Sequence, residues 1–399
     1  MRERVASVTL VALVAYSAIA TDLYLPAIPD MAAEFGTDAG AGQFTLSIFM
    51  IGIAVGQLLF GPLSDYFGRL PVATAGTVLF LVTSIACGLA QSIEMMWLSR
   101  GLQGFSAASG LVIARAIVHD RYHGNRAAQV MSTLGAAMAL VPLVAPIIGS
   151  WLLVFVGWRA TFGALAVFAV LVLLGLRTFD ETAPAIGQGP FGLKSVLRQF
   201  AACLRNRQFI GYQLCGAASF SAIFAYLSTV SFIMYDVFAV QPINFGYAFL
   251  ITVGGFMSGS LLSSRVVIRL GLDRTLSMGC ILALIAALFQ FWFALQTPVS
   301  ALVMVITTFS IFLGIGLTFA NASMGAVALF PRNAGAASAV YGFIHALSAS
   351  AAGYLAGAAY DGTVVPTAAA ILIGTAIAGI GLLLVRSSTN TDTSAAITG

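Results

Sequence analysis

Windows of about twenty predominantly apolar residues, the length an α-helix needs to cross a bilayer, follow one another along almost the whole of this chain. Bounded by charges, Pro and Gly, they fall near residues 5–26, 42–62, 72–90, 94–116, 128–152 and 160–177, then near 209–235, 245–266, 275–295, 299–321, 336–359 and 366–385. A chain of 399 residues that is 60% hydrophobic and only 8% charged has no soluble way to cover that surface, since ordinary soluble domains carry about 25% charged residues. The lipid bilayer is its solvent, and the fold class read from the pattern is all-α integral membrane, with twelve transmembrane helices. Residues 178–208 form the one long polar connection. They divide the chain into a six-helix bundle over 1–177, a linker over 178–208, a second six-helix bundle over 209–386 and a tail over 387–399.

Charge gives the orientation, because Lys and Arg in short loops stay on the cytoplasmic side. With the N-terminus inside, all of the 18 Lys and Arg except Arg100 and Arg159 fall on that side, and both termini are expected to be cytoplasmic. The net charge of +4 is dispersed between apolar segments, so nucleic acid is not an expected partner. Arg2, Arg4, the apolar run from Val5 and Ala18-Ile19-Ala20 together look like a cleavable signal, but the apolar character continues through Leu23 to Ile28, and the segment is read as a retained span. Lys194 to Phe200 mixes apolar and basic residues in a way that suits an interfacial helix or a plain solvated linker. Cys87, Cys203, Cys215 and Cys280 lie far apart, without metal-ligand spacing, and are read as packing residues. Gly52, Gly56 and Gly68 recur as Gly255, Gly259 and Gly271 at a constant offset. With the six-linker-six layout, this points to two parallel halves around a midplane site, a recurring transporter plan.

Charges inside the spans are rare and cost about 2.5–3.5 kcal/mol or more at mid-bilayer, so each exception invites a functional reading. Asp22 lies in the outer part of the first span, with Ala15, Ala18, Ile19 and Leu25 expected on its helical face. Burial and a neighbouring cation act on the proton affinity of such an acid in opposite directions, so a moving arginine or a cationic ligand can switch its protonation. The plainer alternative puts Asp22 at a helix end in the headgroup region, given Pro26 and Pro29. Arg100, a few residues into the fourth span, either snorkels to the interface or works with Gln103, three residues on along the same face. Gly101 and Gly104 leave room beside it for a helix or ligand.

Gly61-Pro62-Leu63-Ser64-Asp65-Tyr66-Phe67-Gly68-Arg69 and Arg100-Gly101-Leu102-Gln103-Gly104 resemble the G-x-x-x-D-[RK]-x-G-R and R-x-x-Q-G motifs of the major facilitator superfamily. Asp22-Leu23-Tyr24-Leu25-Pro26, Gly157-Trp158-Arg159, Asp180-Glu181-Thr182 and the run Asn321 to Gly342 are similar to its Bcr/CflA-type drug:proton antiporters. The resemblance spans essentially the whole chain and implies the major facilitator fold, with two pseudo-symmetric six-helix halves. It also implies a conformational latch around Gly61, Asp65, Gly68 and Arg69, which Asp120 is placed to join, and a proton-coupling role for Arg100. Tyr66 replaces the usual base of the motif. Gly135, Pro142, Pro146 and Gly149 are similar to the family's antiporter helix, with Ala145 in place of a glycine. Their physical content is a helix short of backbone donors and free to bend, though Pro and Gly are common in membrane helices in any case. Related exporters that carry a second acid two turns before the Asp22 position have Val14 and Ala15 as their counterparts here, so one carboxylate is expected to dominate.

Tyr16, Tyr24, Phe220, Phe224, Tyr226, Phe309 and Phe312 are candidates to line a substrate cavity, against the alternative that they pack the bundle or face lipid. His345 is either a proton relay or a hydrogen-bonded packing residue. Without a hydrolase constellation or a phosphate loop, the chain reads as a carrier and not an enzyme, with no cofactor and the proton gradient as its driving force. The expected cargo is a small amphipathic drug, with phenicols, bicyclomycin-like compounds and sulfonamides as first candidates. The expected setting is a bacterial cytoplasmic (inner) membrane, with the protein acting as a monomer. Proton-coupled metabolite transport on the same fold is the nearest alternative, and a membrane-embedded enzyme or receptor the next.

Overall fold

The computed structural model describes residues 2–122, 124–183, 200–296, 298–331 and 334–397. Among them are twelve spans long and apolar enough to cross a membrane, and no strand. The first span, Ala6–Glu34, is compound: α1 (Arg2–Asp22), a 3-10 turn (Leu25–Ala27) and α2 (Ile28–Glu34). Then follow α3 (Ala39–Phe67), α4 (Arg69–Gly88), α5 (Ile93–Arg121), α6 (Gly124–Phe155), α7 (Arg159–Leu176), α8 (Arg207–Phe232), α9 (Pro242–Leu270), α10 (Leu272–Ala294), α11 (Ala301–Ala328), α12 (Ala334–Ala358) and α13 (Val365–Ile397). The expected interfacial helix lies outside the described residues over 194–199.

Several helices outrun their apolar windows. Hydropathy marks only the length that suits hydrocarbon, whereas a helix continues until its backbone groups find another partner. Asp38 caps α3 by accepting from the Ala41 N–H at 2.7 Å, and Ser92 caps α5 by accepting from Met95 N–H at 3.3 Å. Such caps are typically worth about 1 kcal/mol. The first span departs most from expectation. It runs on to Glu34, because Pro29 falls in the first turn of α2, where a missing N–H costs nothing. The helix is interrupted after Asp22, so Leu25 falls in the 3-10 turn and not, as expected, in the helix that carries Ala15, Ala18 and Ile19.

The chain forms two compact units, Met1–Gly192 with Ala239–Leu250, and Leu193–Phe238 with Ile251–Gly399. In the first unit α3 lies against α5: a Cβ at Gly52 would run into the Gly101 carbonyl and the Phe105 N–H, and one at Gly56 into Ala108. In the second unit α9 lies against α11 in the same way, with Gly255 on the Phe309 carbonyl and Gly259 on that of Leu313. Gly68 (φ +99°) and Gly271 (φ +79°) close the repeat as the joints into α4 and α10, a backbone region that L side chains avoid. The glycine offset seen in the sequence thus marks equivalent packing inside each unit.

Candidate functional site

The interruption after Asp22 builds the most unusual site of the first unit. A helix that ends leaves its last carbonyls without intrahelical donors, and one of these, the Ala20 carbonyl, accepts from Arg100 Nη1 at 3.1 Å. The same nitrogen donates to Gln103 Oε1 at 2.7 Å. Gln103 is itself held: its Nε2 donates to Ser84 Oγ (2.8 Å), which donates to the Phe80 carbonyl (2.6 Å). Arg100 does not snorkel, being 0% exposed. Its guanidinium carbon sits 4.2 Å from the Phe49 ring centre, 4.9 Å from that of Tyr24 and 5.9 Å from that of Phe162, and each such desolvated contact contributes about 2 kcal/mol. Nε and Nη2 of Arg100 have no partner among the described residues. Asp22, 6% exposed, likewise has no hydrogen bond or ion pair among them. The site therefore joins a buried cation with two uncommitted donor nitrogens to a helix break that ends on a buried, uncommitted acid.

The antiporter-like helix α6 meets this break. A Cβ at Gly149 would run into the Leu23 carbonyl and the Pro26 ring, and Pro142 and Pro146 both lie within the helix. Gly135 makes no such approach, a Cβ there meeting nothing within 4 Å. Tyr24 is fixed beside the break, its hydroxyl donating to Met31 Sδ at 2.7 Å and 3.2 Å from Thr45 Oγ.

A second network gathers around Arg69. Its Nε donates to Asp120 Oδ2 at 2.9 Å, and its Nη1 donates to Ser64 Oγ at 2.7 Å and pairs with Asp65. The Asp65–Arg69–Asp120 association is thus formed, and Ser64 Oγ carries it on to the Gly61 carbonyl, to which it donates at 2.9 Å, while a Cβ at Gly61 would meet nothing within 4 Å. Glu181, quoted from sequence only for its resemblance, was missed as part of this network. Its Oε1 accepts from the N–H groups of Arg69 (2.9 Å), Thr182 and Ala183 (2.8 Å each), and its Oε2 from Leu70 N–H (3.0 Å). It caps the positive end of α4. Burial alone would push its carboxyl up, but the backbone N–H groups outweigh that and hold it below the usual range. Gly68 is required twice over, by its φ and because a Cβ would meet the Glu181 carboxylate. The available signal was an acid just after the sixth span. Glu34 was likewise missed: it accepts from Trp158 Nε1 and Arg159 Nη1, each at 2.6 Å.

The aromatic candidates separate by unit. In the first, Tyr16 stacks on Phe80 (4.5 Å, 4°), and Tyr24 packs against Phe162 (5.0 Å). In the second, Phe220 packs on Phe224 (5.0 Å), Tyr226 meets Phe312 edge-on (5.3 Å), and the Phe309 backbone receives Gly255. His345 is not the hydrogen-bonded packing residue considered from sequence, because neither ring nitrogen has a partner among the described residues.

Compared with known proteins, the chain matches the family model described as Major Facilitator Superfamily over residues 10–354. It is 31% identical over 363 residues to an uncharacterized MFS-type transporter, YdgK, of Bacillus subtilis, covering 90% of this chain and 89% of the relative. A chloramphenicol resistance protein of Pseudomonas aeruginosa is 32% identical over 332 residues, 82% of this chain and 77% of that one. A bicyclomycin resistance protein homolog of Haemophilus influenzae is 30% identical over 256 residues, 64% of each chain. Among solved structures, the xylose transporter XylE from E. coli superposes with a TM-score of 0.72 at 14% identity, covering 96% of this chain and 97% of that one, a likeness of fold alone.

Proposed function

Since this chain belongs to the major facilitator superfamily, whose members are membrane transporters and not enzymes, we propose that it is a proton-coupled exporter of small amphipathic drugs working by alternating access of its two six-helix halves. The observation that carries the reading is that one helix break ends on buried Asp22, without a hydrogen bond or ion pair among the described residues, and holds buried Arg100 through the Ala20 carbonyl, with Gln103 as its second partner. Proton uptake at Asp22 from outside and drug binding from the cytoplasm or inner leaflet exclude one another. Arg100 reads the protonation state of Asp22 through the nitrogens it leaves uncommitted, and Gln103, pinned by Ser84, sets the resting position of the guanidinium. The Asp65–Arg69–Asp120 network acts as the conformational latch, and α6, bearing Pro142, Pro146 and Gly149, bends against the break.

Exchange of one neutral drug for one proton moves net charge, so the membrane potential contributes about 2.3 kcal/mol per charge per 100 mV. The proton gradient is the energy source and no cofactor is needed. The cargo class is drawn from relatives named for chloramphenicol and bicyclomycin resistance, with sulfonamides as a third candidate from the sequence resemblance. The protein functions as a monomer in a bacterial cytoplasmic membrane, with both termini inside. The test is drug flux in proteoliposomes under an imposed pH gradient. Asp22→Asn is expected to abolish uphill drug movement and flatten its pH dependence while leaving equilibrium drug binding measurable. Undiminished, pH-dependent uphill export by this variant would overturn the reading.

A further inference from the structure

Within the second unit, three neighbouring side chains carry buried polar atoms with no partner among the described residues: Oε1 of Gln213, the hydroxyl of Tyr341 and both ring nitrogens of His345. They are 4%, 7% and 7% exposed. Helical spacing brings them together. Gln213, Gly216 and Phe220 follow one face of α8 at steps of three and four, and Tyr341 and His345 stand four apart on α12. Gln213 Nε2 donates to the Tyr341 carbonyl at 3.4 Å, and the Tyr341 hydroxyl fills the space that a Cβ on Gly216 would need. The His345 ring stacks on Phe220 (4.4 Å, 29°) and on Tyr341 (5.2 Å, 29°), and meets Phe319 edge-on at 5.4 Å. Phe220 and Phe319 are only half-buried, so two of the rings that contact His345 remain accessible.

Leaving a buried hydrogen-bonding group unpartnered costs about 1–3 kcal/mol, and this cluster gathers several such groups at one place. A ligand that satisfies them is worth more here than at an apolar wall. The side-chain set accepts and donates: an amide oxygen accepts, a phenol does either, and a neutral imidazole does one at each nitrogen. We propose that Gln213, Tyr341 and His345 form a polar subsite for the hydroxyl and amide groups of a small uncharged aromatic ligand, whose ring stacks on Phe220 and Phe319. That this ligand is the exported cargo rests on the function proposed above. The binding itself does not depend on proton coupling.

The test is equilibrium binding of radiolabelled chloramphenicol, a nitrophenyl ring bearing hydroxyl and amide groups, to purified full-length protein in nanodiscs. Tyr341→Phe and His345→Phe keep the ring shapes and remove only the polar atoms, and size-exclusion profiles check that both remain folded. Each is expected to weaken binding about tenfold, the loss of one well-made hydrogen bond to a buried group, while 4-nitrotoluene, lacking the polar groups, competes equally well with wild type and variants. On the unsubstituted protein, the imidazole nitrogen resonances of His345, identified by their loss in His345→Phe, are expected to shift on addition of the probe. Wild-type protein that does not bind the probe, or variants that bind it unchanged because water alone meets these atoms, would overturn the proposal. Failure of the proton-coupling reading shows separately, as pH-dependent uphill flux retained by Asp22→Asn with binding intact.

Discussion

Arg100 illustrates how little a residue's chemistry is fixed by its neighbours in sequence. From the fourth span alone it had two plausible placements. Its partners instead come from the Ala20 carbonyl, from Ser84 through Gln103, and from the Phe49, Tyr24 and Phe162 rings. Nη1 alone donates to both Ala20 and Gln103 while the planar guanidinium stacks on rings, a combination that a compact ammonium cannot reproduce. Arg100→Lys is therefore expected to lower drug flux about tenfold or more, as a charged hydrogen bond contributes about 1.5–3 kcal/mol. The measurement is initial-rate flux in proteoliposomes, and near-wild-type rates would refute the role of the planar guanidinium. Glu181 gives a pH prediction of the opposite chemical kind. Its carboxyl is held below the ordinary range in the folded protein, so its cap on α4 is fully present above the usual glutamate value of about 4.3 and is lost as pH falls through its lower folded value. The protection factors of the Arg69 and Leu70 amide protons, which correct for intrinsic exchange, are expected to fall as pH drops below the usual glutamate value of about 4.3, and to be lost at neutral pH in Glu181→Ala. Protection unaffected by that substitution would remove the cap from the account.

Helices are where the sequence pattern was most informative. Apolar windows located all twelve spans, because hydropathy measures the solvent a helix suits, but they placed some ends short, as at α3, which starts at Ala39 behind its Asp38 cap and not near 42. The break in the first span was legible as Pro26 and Pro29, whereas its continuation to Glu34 was not, since proline is equally suited to ending one helix and starting another. The glycine repeat acquires its meaning at this scale. Gly52 and Gly255 each meet a backbone carbonyl of the neighbouring helix, so Gly52→Ala and Gly255→Ala are expected to destabilise their units by about 1–3 kcal/mol each through overpacking. Gly163, where a Cβ would meet nothing within 4 Å, is the control. Gly163→Ala is expected to leave stability unchanged or to raise it by about 0.4–1 kcal/mol. Thermal unfolding in detergent ranks the three, and equal behaviour at Gly52 and Gly163 would discount the close approach.

For the molecule as a whole, the asymmetry of Lys and Arg and the even number of spans make one topological prediction. Reporter fusions after Ser64 and after the last span are expected to give cytoplasmic signals, and a cysteine placed at Gly157 to be labelled from outside; labelling of that position only from the cytoplasm would invert the topology. By itself the sequence determined the solvent, the number of spans, the family and the motif residues, because each is written in composition or in short local strings. The tertiary structure alone decided which carbonyl holds Arg100, that Glu181 caps α4 from 111 residues away, and that Gln213, Tyr341 and His345 share one polar cluster. The physical reason is that apolar periodicity says how much of a helix faces away from water but not which helix it meets. A polar side chain in a bilayer gets its chemistry from the neighbour it meets there.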